Sequence, residues 1–312
     1  MVDMSNARPI GILAGYLLAC AGLTAYCIGI TWRRGSSPRS TIDQRRRNAI
    51  VVFSALAALS LATTWYHMFC FFQWSYREWE APRAAAGLLP VDRDGLQLGD
   101  WLRDTTLFKQ AWVSTLETPL RAWWSTQIFG FCAIWSVMLA AQGQIVAISF
   151  AANLSFLAFL VYDQDATPPN DTKKKDPRVQ PPQKSSWLPH AWVAVLCADM
   201  ISALIIPDRI GRPGFIYLLL APHVLAFVPF LLGAVFAAPG AARRSAPQPP
   251  VVVGGIVMAS LLCTAFTRVF DDGGDLGQIL DTLYEHPAVS SVGWDVICCW
   301  VSFAAWHVLG AA

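Results

Sequence analysis

The chain of 312 residues is strongly apolar: 55% of its residues are hydrophobic, only 14% are charged, and the formal net charge is +2. An average soluble domain carries roughly 25% charged residues, so the composition argues against a soluble fold. The basic residues form no sustained basic face, so the sequence does not indicate nucleic acid as a partner. The eight cysteines lie inside apolar segments without metal-ligand spacing, so we expect buried thiols, no disulfide framework and no zinc site.

Eight apolar segments follow one another along the chain, each long enough or nearly long enough to cross a membrane. A membrane-spanning helix needs about 20 mostly apolar residues, because the hydrocarbon layer is ~30 Å thick. The segments cover residues 9–32, 49–74, 119–141, 144–162, 187–207, 215–237, 251–270 and 291–309. We therefore expect an all-α, polytopic transmembrane bundle of about eight spans in a single membrane domain, residues 1–312. The very short connection between the third and fourth segments predicts a tight helical hairpin.

The two longer connections differ in composition. Residues 98–116 have apolar and aromatic side chains at helical spacing with charges between them. This pattern predicts one amphipathic helix, either at the membrane surface or folded back over the mouth of the bundle. Residues 163–186 are rich in Pro and Lys, a composition typical of a solvated, disordered loop.

Charge gives conflicting signals about orientation. With eight alternating spans, the side that holds both ends of the chain carries 13 Lys and Arg, against 8 on the other side. Six arginines cluster between Arg33 and Arg47, however, and charge near the first helix usually dominates. We therefore predict a cytoplasmic first loop in the membrane of the endoplasmic reticulum. The loop after the fourth span would then be luminal, and its acceptor Asn170-Asp171-Thr172 would be glycosylated.

Two carboxylic acids lie within predicted spans: Asp199 in the fifth and Asp295 in the eighth. An ionisable side chain at mid-bilayer costs about 2.5–3.5 kcal/mol on insertion scales, so each is a candidate site residue. Burial favours the protonated form of a carboxylic acid, which is the form that a general acid needs. A structural hydrogen bond to a neighbouring helix is the alternative for each residue.

Two further acids, Glu117 and Asp104, lie at the predicted membrane boundary. Glu117 is four residues before Arg121, and the two side chains can simply pair with each other. His67 in the second span and His223 in the sixth are candidates to face a polar cavity. A satisfied core histidine is the alternative for both.

The sequence Asp271-Asp272-Gly273-Gly274-Asp275 matches the D-D-x-x-D spacing with which prenyltransferases hold Mg²⁺. That motif needs its carboxylates on one helical face, whereas glycine disfavours a helix by roughly 1 kcal/mol relative to Ala. We therefore predict an ordinary acidic turn, with a Mg²⁺-dependent membrane prenyltransferase as the alternative.

Several tryptophans fall within the predicted spans rather than at their ends. Aromatic faces stabilise cations by roughly 0.5–2 kcal/mol each, although any membrane protein also carries an interfacial aromatic belt. The candidates for substrate contact are Trp65, His67, Trp123, Trp124, Trp135, Trp294 and Trp300.

Residues 107–127, 145–154 and 286–297 resemble fungal integral membrane terpene cyclases of meroterpenoid pathways, of the ascochlorin and ascofuranone type. The resemblance implies an isomerase that protonates the terminal epoxide of a prenylated aromatic compound and guides the carbocation into a ring. It implies no metal and no cofactor, and a lipophilic substrate that enters from the bilayer. It also implies an acid pair, for which Glu117 and Asp295 are the matching residues, with Asp104 and Asp199 in contention. A multi-pass transporter or receptor is a further alternative.

Overall fold

The computed structural model describes residues 4–35, 44–88, 97–136, 147–162, 188–225, 228 and 251–309. Within these ranges the chain is helical apart from turns and short connections, and no strand occurs. The helices, in chain order, are α1 (Met4–Gly35), α2 (Gln44–Ala85), α3 (Leu98–Asp104), α4 (Leu107–Leu116), α5 (Pro119–Ser136), α6 (Ile148–Tyr162), α7 (Leu188–Ile205), α8 (Phe215–Leu225), α9 (Val251–Asp271), α10 (Leu276–Glu285) and α11 (Pro287–Leu309). A short 3₁₀ turn, Pro207–Arg209, follows α7. The predicted all-α class is confirmed.

Four of the described helices are long and apolar enough to cross a membrane. These segments are Ala7–Tyr26, Gln44–Ala85, Gly254–Asp271 and Pro287–Leu309. Shorter apolar helices cover Ile148–Val161 and Val193–Ile205. The predicted spans 119–141, 144–162 and 215–237 each include residues outside the described ranges, so the number of eight spans stays a prediction.

Helix α2 continues well beyond the predicted end of the second span at Trp74. Its 42 residues correspond to about 60 Å, roughly twice the hydrocarbon thickness. The helix ends at Ala85, and φ is +65° at Gly87 just beyond it. The Leu88 and Gly87 amides donate to the Arg83 and Ala84 carbonyls. This pair of hydrogen bonds is a Schellman motif, which glycine favours because it lacks a Cβ.

Helix α11 is the central element of the described bundle, because it packs against α2, α4, α5, α6 and α10. It runs antiparallel to α2. Just before α11 begins, His286 lies against Trp74 near the end of α2, with ring centroids 4.3 Å apart. In the last turn of α11, the Val308 carbonyl accepts a hydrogen bond from Arg45 at the start of α2.

Helix α5 runs in the same direction as α11. Trp124 lies beside Gly293 in the first half of both helices. Phe131 lies against Phe303 further along, with ring centroids 5.5 Å apart.

Helix α6 also runs in the same direction as α11, so the predicted tight hairpin between the third and fourth spans is wrong. At the start of α6, Ser149 donates to Asp295 of α11. Further along α6, Phe156 lies against Phe303, which is further along α11. Two consecutive helices that run in parallel cannot form a hairpin. Two apolar runs with a short connection are typical of an antiparallel pair, which is why the sequence predicted a hairpin. In the structure, the start of α6 is positioned by its contact with α11, and the sequence gives no local signal of that contact.

The predicted single amphipathic helix over residues 98–116 is two helices, α3 and α4. The chain is extended at Thr105 (φ −105°, ψ 132°), and two adjacent β-branched residues disfavour a continuous helix there. A buried chain of hydrogen bonds ties both helices to α2. Trp101 Nε1 in α3 donates to Ser75 Oγ at 3.2 Å, and Ser75 Oγ donates to Gln110 Oε1 in α4 at 2.7 Å.

The segment Asp271–Asp275 is a helix stop followed by a helix start. The Gly274 and Gly273 amides donate to the Val269 and Phe270 carbonyls, which is a second Schellman motif, with φ +78° at Gly273. Asp275 then caps α10, since its side chain accepts the Gln278 amide in a capping box. The sequence prediction of an acidic turn agrees with this geometry, although helix α10 itself was missed.

Arginines at the start of α2 bond the last turns of two other helices. Arg45 donates to the Val308 carbonyl of α11, and Arg46 Nε donates to the Leu160 carbonyl of α6. A cation at a helix C-terminus is favourable, because the free carbonyls carry partial negative charge. The start of α2 and the ends of α6 and α11 therefore share one end of the bundle. Alternating spans would place the start of the second span and the end of the fourth at opposite ends of the bundle, so that predicted alternation is wrong for α2 and α6.

The close packing of α10 and α11 on α5 depends on Gly293. A Cβ at this position would overlap Leu283 Cδ1 and lie 3.3 Å from Trp124 Cδ2. Gly293→Ala should therefore lower the unfolding free energy by about 1–3 kcal/mol. The control is Gly255→Ala in α9, where an added Cβ meets nothing within 4 Å, so stability should be unchanged or rise by about 0.5–1 kcal/mol. Thermal unfolding in detergent, followed by tryptophan fluorescence, measures both, and equal midpoints would contradict the close packing.

Candidate functional site

Asp199 is a buried carboxylic acid without a hydrogen-bond partner. It lies in α7, which packs against α5, α8 and α9, and only 2% of the residue is exposed. Neither Oδ1 nor Oδ2 contacts a donor or acceptor within the described part of the chain. An ionised carboxylate without a donor is costly away from water, so this environment favours the protonated acid. A protonated Asp199 therefore has an O–H group that no described residue accepts.

Helix α9, which packs against α7, contributes a polar contact to α7 and an aromatic contact to α5. Near its end, Arg268 of α9 donates to the Leu204 carbonyl at 2.9 Å. Two residues earlier in α9, Phe266 packs edge-on against Trp123 of α5, with centroids 4.6 Å apart. This aromatic pair lies where α5 and α9 meet, and both helices also contact α7.

Asp295 has the opposite environment, although it is also buried, at 6% exposure. Its Oδ1 accepts the Ser149 amide at 2.9 Å and the Ser149 hydroxyl, and its Oδ2 accepts the Ile148 amide at 3.1 Å. These amides belong to the first turn of α6, where backbone N–H groups have no partner within their own helix. Asp295 is thus a helix cap supplied by another helix, and its three donors match an ionised carboxylate.

Glu117 directly follows α4, just before α5 begins at Pro119, and its side chain is 62% exposed. It pairs with Arg121 Nη1 at 2.8 Å, while Arg121 also makes two hydrogen bonds to Glu285. Hydrogen bonding to Arg121 lowers the pKa of Glu285 below its ordinary value. Glu117 and Asp295, the pair implied by the resemblance, are therefore in different environments: one is an exposed ion-pair partner and the other a buried helix cap.

Asp104 ends α3 and pairs with two arginines. Arg83 Nη2 lies 3.1 Å from Oδ2 and Arg103 Nε lies 3.0 Å from Oδ1. Burial alone would raise the pKa of Asp104, but hydrogen bonds from Trp79 and Arg103 and the charges of Arg103 and Arg83 outweigh it and lower the pKa. This environment favours the carboxylate and so does not favour a general acid.

The tryptophans that are candidates for substrate contact differ in whether their indole N–H has a hydrogen-bond partner. Trp65 in α2 and Trp294 in α11 each have a buried indole N–H without a partner. Trp124 donates to the Ile279 carbonyl and to Thr282, and Trp300 donates to Gln127 Oε1 at 2.9 Å. His67 lies in α2 with its ring against Tyr66. The side chains of Trp135 and His223 lie outside the described ones.

Four buried polar residues near α11 were not predicted from the sequence. They are Gln127 on α5, Ser149 and Asn153 on α6, and His286 before α11. Asn153 is fully buried and its Oδ1 has no partner, while its Nδ2 donates to the Ser149 carbonyl. Gln127 and Asn153 are amide side chains inside apolar runs, and this pattern could have identified them as candidate site residues. The position of His286 directly before Pro287 could have signalled a helix cap.

His286 caps α11 through its Nδ1, which accepts the Ala288 amide at 3.1 Å. The ring is 8% exposed and its Nε2 has no partner. Burial lowers the pKa of His286 below its ordinary value of 6.5, and the Arg121 charge acts in the same direction. The His286 imidazole therefore binds a proton more readily in the unfolded chain than in the folded protein. Neutral His286 contributes fully to the stability of the fold above pH 6.5, and this contribution is lost as the pH falls toward the pKa of His286 in the folded protein.

The thermal midpoint should consequently fall between pH 7 and pH 5, and the fall should be smaller in His286→Asn. The amide oxygen of Asn can accept the Ala288 amide but does not titrate in this range. Equal falls in both proteins would show that His286 is not the group responsible.

Within the described residues, no group of three or more His, Cys, Asp or Glu side chains is placed to hold a metal ion. Comparisons of this chain with protein-family models, with curated proteins and with solved structures find no match. The chemistry of the site is therefore inferred from the side chains of the chain itself.

Proposed function

We propose that this chain is a multi-pass membrane cyclase that protonates the terminal epoxide of a lipophilic prenylated aromatic substrate, with Asp199 as the proton donor. One observation carries the proposal: Asp199 is almost fully buried, and neither of its carboxyl oxygens has a partner among the described residues. The environments of Glu117, Asp104 and Asp295 give no support to any of them as the acid. Each of these carboxylates accepts hydrogen bonds from arginine side chains or from backbone amides.

The reaction needs one transferable proton and an apolar enclosure. The Asp199 carboxyl transfers its proton to the epoxide oxygen, and the carbon–oxygen bond breaks with its electron pair going to that oxygen. A neighbouring alkene supplies its π electrons to the carbocation and closes the ring. The final cation loses a proton to the Asp199 carboxylate, so the acid is regenerated and the product is an isomer of the substrate.

Aromatic rings near α7 suit the cationic stage of this reaction. Trp123 and Phe266 lie between α5 and α9, and the face of an aromatic ring attracts a cation that has no hydrogen-bond partner. The partnerless indole N–H groups of Trp65 and Trp294 are candidates to bind an oxygen of the aromatic head of the substrate. Asp295 acts in this proposal as a positioning residue that fixes α6.

We further propose about eight membrane spans, located in the endoplasmic reticulum. The four membrane-length helices support a membrane location, and the shorter apolar helices Ile148–Val161 in α6 and Val193–Ile205 in α7 add to them. A lipophilic substrate can then enter from the bilayer without crossing water.

The direct test is product formation. Microsomes that contain the protein are incubated with a prenylated phenol that carries a terminal epoxide, with and without EDTA. We expect a cyclic alcohol of unchanged mass, absent from microsomes without the protein, at the same rate in both conditions. No conversion would refute the cyclase, and Mg²⁺-dependent release of diphosphate from a prenyl diphosphate would favour the prenyltransferase alternative.

Proton-coupled transport is a second candidate, favoured by two observations. A protonated acid such as Asp199 is typical of proton pathways through membranes, and transporters contain helices that begin within the bundle, as α6 does at the Asp295 contact. Here, however, the first amides of α6 are occupied by Asp295 rather than open to a ligand. Proton flux into proteoliposomes in the absence of any cyclised product would favour the transporter.

A further inference from the structure

We propose that the end of the bundle at which α2 begins and α6 and α11 end faces the cytosol. The end formed by α3, α4 and α10 then faces the lumen. This orientation rests on the proposed membrane location and is independent of the proposed reaction. It follows from which helix ends lie together and from the charges that they carry.

The first end, which we call the basic end, is defined by three helix contacts. Arg45 and Arg46 at the start of α2 bond carbonyls in the last turns of α11 and α6. Gly254 near the start of α9 lies against Ile134 near the end of α5. In the sequence, the segments that adjoin these helix ends are residues 36–47 before and into α2, 163–187 after α6, and 226–250 before α9.

The second end, which we call the acidic end, is held together by ion pairs between different elements. The pairs are Arg83–Asp104 at 3.1 Å, Arg121–Glu285 at 2.7 Å and Arg268–Asp208 at 3.0 Å. They join the end of α2 to α3, the start of α5 to α10, and the end of α9 to the turn after α7. The chain segments at this end are residues 77–121, 207–214 and 268–285.

The two ends differ in the sign of their charge. The three segments at the basic end carry 11 Lys and Arg against 5 Asp and Glu. The three segments at the acidic end carry 9 Lys and Arg against 13 Asp and Glu. Segments rich in Lys and Arg are retained on the cytosolic side of a membrane, where they also meet the anionic leaflet.

The parallel course of α5 and α6 removes the conflict between the two charge signals in the sequence. With alternating spans, the arginine cluster of the first loop and the lysines at 173–175 fall on opposite sides. In the structure α6 ends beside the start of α2, so the sequence segments that carry the two clusters both adjoin helix ends at the basic end. All the strongly basic segments outside α1 then favour the same orientation. The proposed orientation predicts that Asn170, which follows α6 in the sequence, carries no glycan.

The orientation can be tested with single cysteines in sealed microsomes, whose outer surface is cytosolic. Asn170→Cys reports on the basic end, and Asp272→Cys reports on the acidic end, where Asp272 is exposed in the turn after α9. Both are treated with a membrane-impermeant maleimide before and after permeabilisation with detergent. The parent protein gives the background from native thiols, and resistance to carbonate extraction checks the membrane location separately.

We expect Asn170→Cys to be labelled in intact vesicles and Asp272→Cys only after permeabilisation. The reverse pattern would overturn the orientation. Labelling of both cysteines in the same step, before or after detergent, would overturn the assignment of the two segments to opposite ends. A glycan that disappears in Asn170→Gln would also overturn the proposal.

Discussion

Asp199→Asn should lower product formation by roughly 10²–10⁴-fold, the range typical of the loss of a general acid. The substitution keeps the shape of the side chain but removes the proton that can be transferred. Because Asp199 makes no hydrogen bond within the described residues, the loss of the acid should leave folding and membrane insertion intact. Turnover of the epoxide in microsomes, normalised to the amount of inserted protein, measures the effect.

Asp199→Leu is the control that separates a functional acid from a structural one. A buried polar group without partners reduces stability, so an apolar side chain of similar size should leave the unfolding free energy unchanged or raise it. We therefore expect an inactive protein with an equal or higher thermal midpoint. A clear fall in the midpoint would mean that Asp199 stabilises the fold, and near-normal turnover in Asp199→Asn would remove it from the mechanism.

Asp295→Ala should instead destabilise the protein strongly. It leaves the Ile148 and Ser149 amides and the Ser149 hydroxyl without their acceptor in a buried site. Each unsatisfied buried group costs about 1–3 kcal/mol, so the total loss should reach about 3 kcal/mol or more. Thermal unfolding in detergent measures the loss, together with the amount of folded protein recovered from membranes.

Ser149→Ala is the matched control, because it removes one of the three donors and keeps the carboxylate. Its cost should be near 1 kcal/mol, the usual net value of one hydrogen bond. Equal thermal midpoints in Asp295→Ala and the parent protein would refute the capping role. Asp295→Asn should lie between the two, because its amide group has one acceptor oxygen but presents N–H donors to a second backbone amide.

The sequence predicted the helical class and most helix positions, because long apolar runs have few other outcomes. It also identified Asp199 and Asp295 from their positions within such runs. It could not distinguish them, since the partners of Asp295 come from residues 146 and 147 positions away in the chain. A hydrogen bond between distant segments leaves no local pattern in the sequence.

The errors in chain direction have a similar origin. Apolar length shows that a helix can form but not which way it runs relative to others. The arginines near the start of α2 also have a structural role, which a count of charges does not detect. Arg45 and Arg46 donate hydrogen bonds to carbonyls at the ends of α11 and α6. Helix α10 was missed because ten residues are too few for a membrane span, and its start was hidden within the Asp271–Asp275 turn.

The cap that Asp295 places on α6 has a consequence for biosynthesis. During translation α6 leaves the ribosome well before α11, so its first amides have no acceptor while the intervening helices are being made. The N-terminal turn of α6 can reach its buried position only after the polypeptide through Asp295 has been delivered to the membrane. The packing of the first turn of α6 therefore follows the synthesis of α11, and a ribosome stalled before α11 should leave a nascent chain that quality-control proteases recognise.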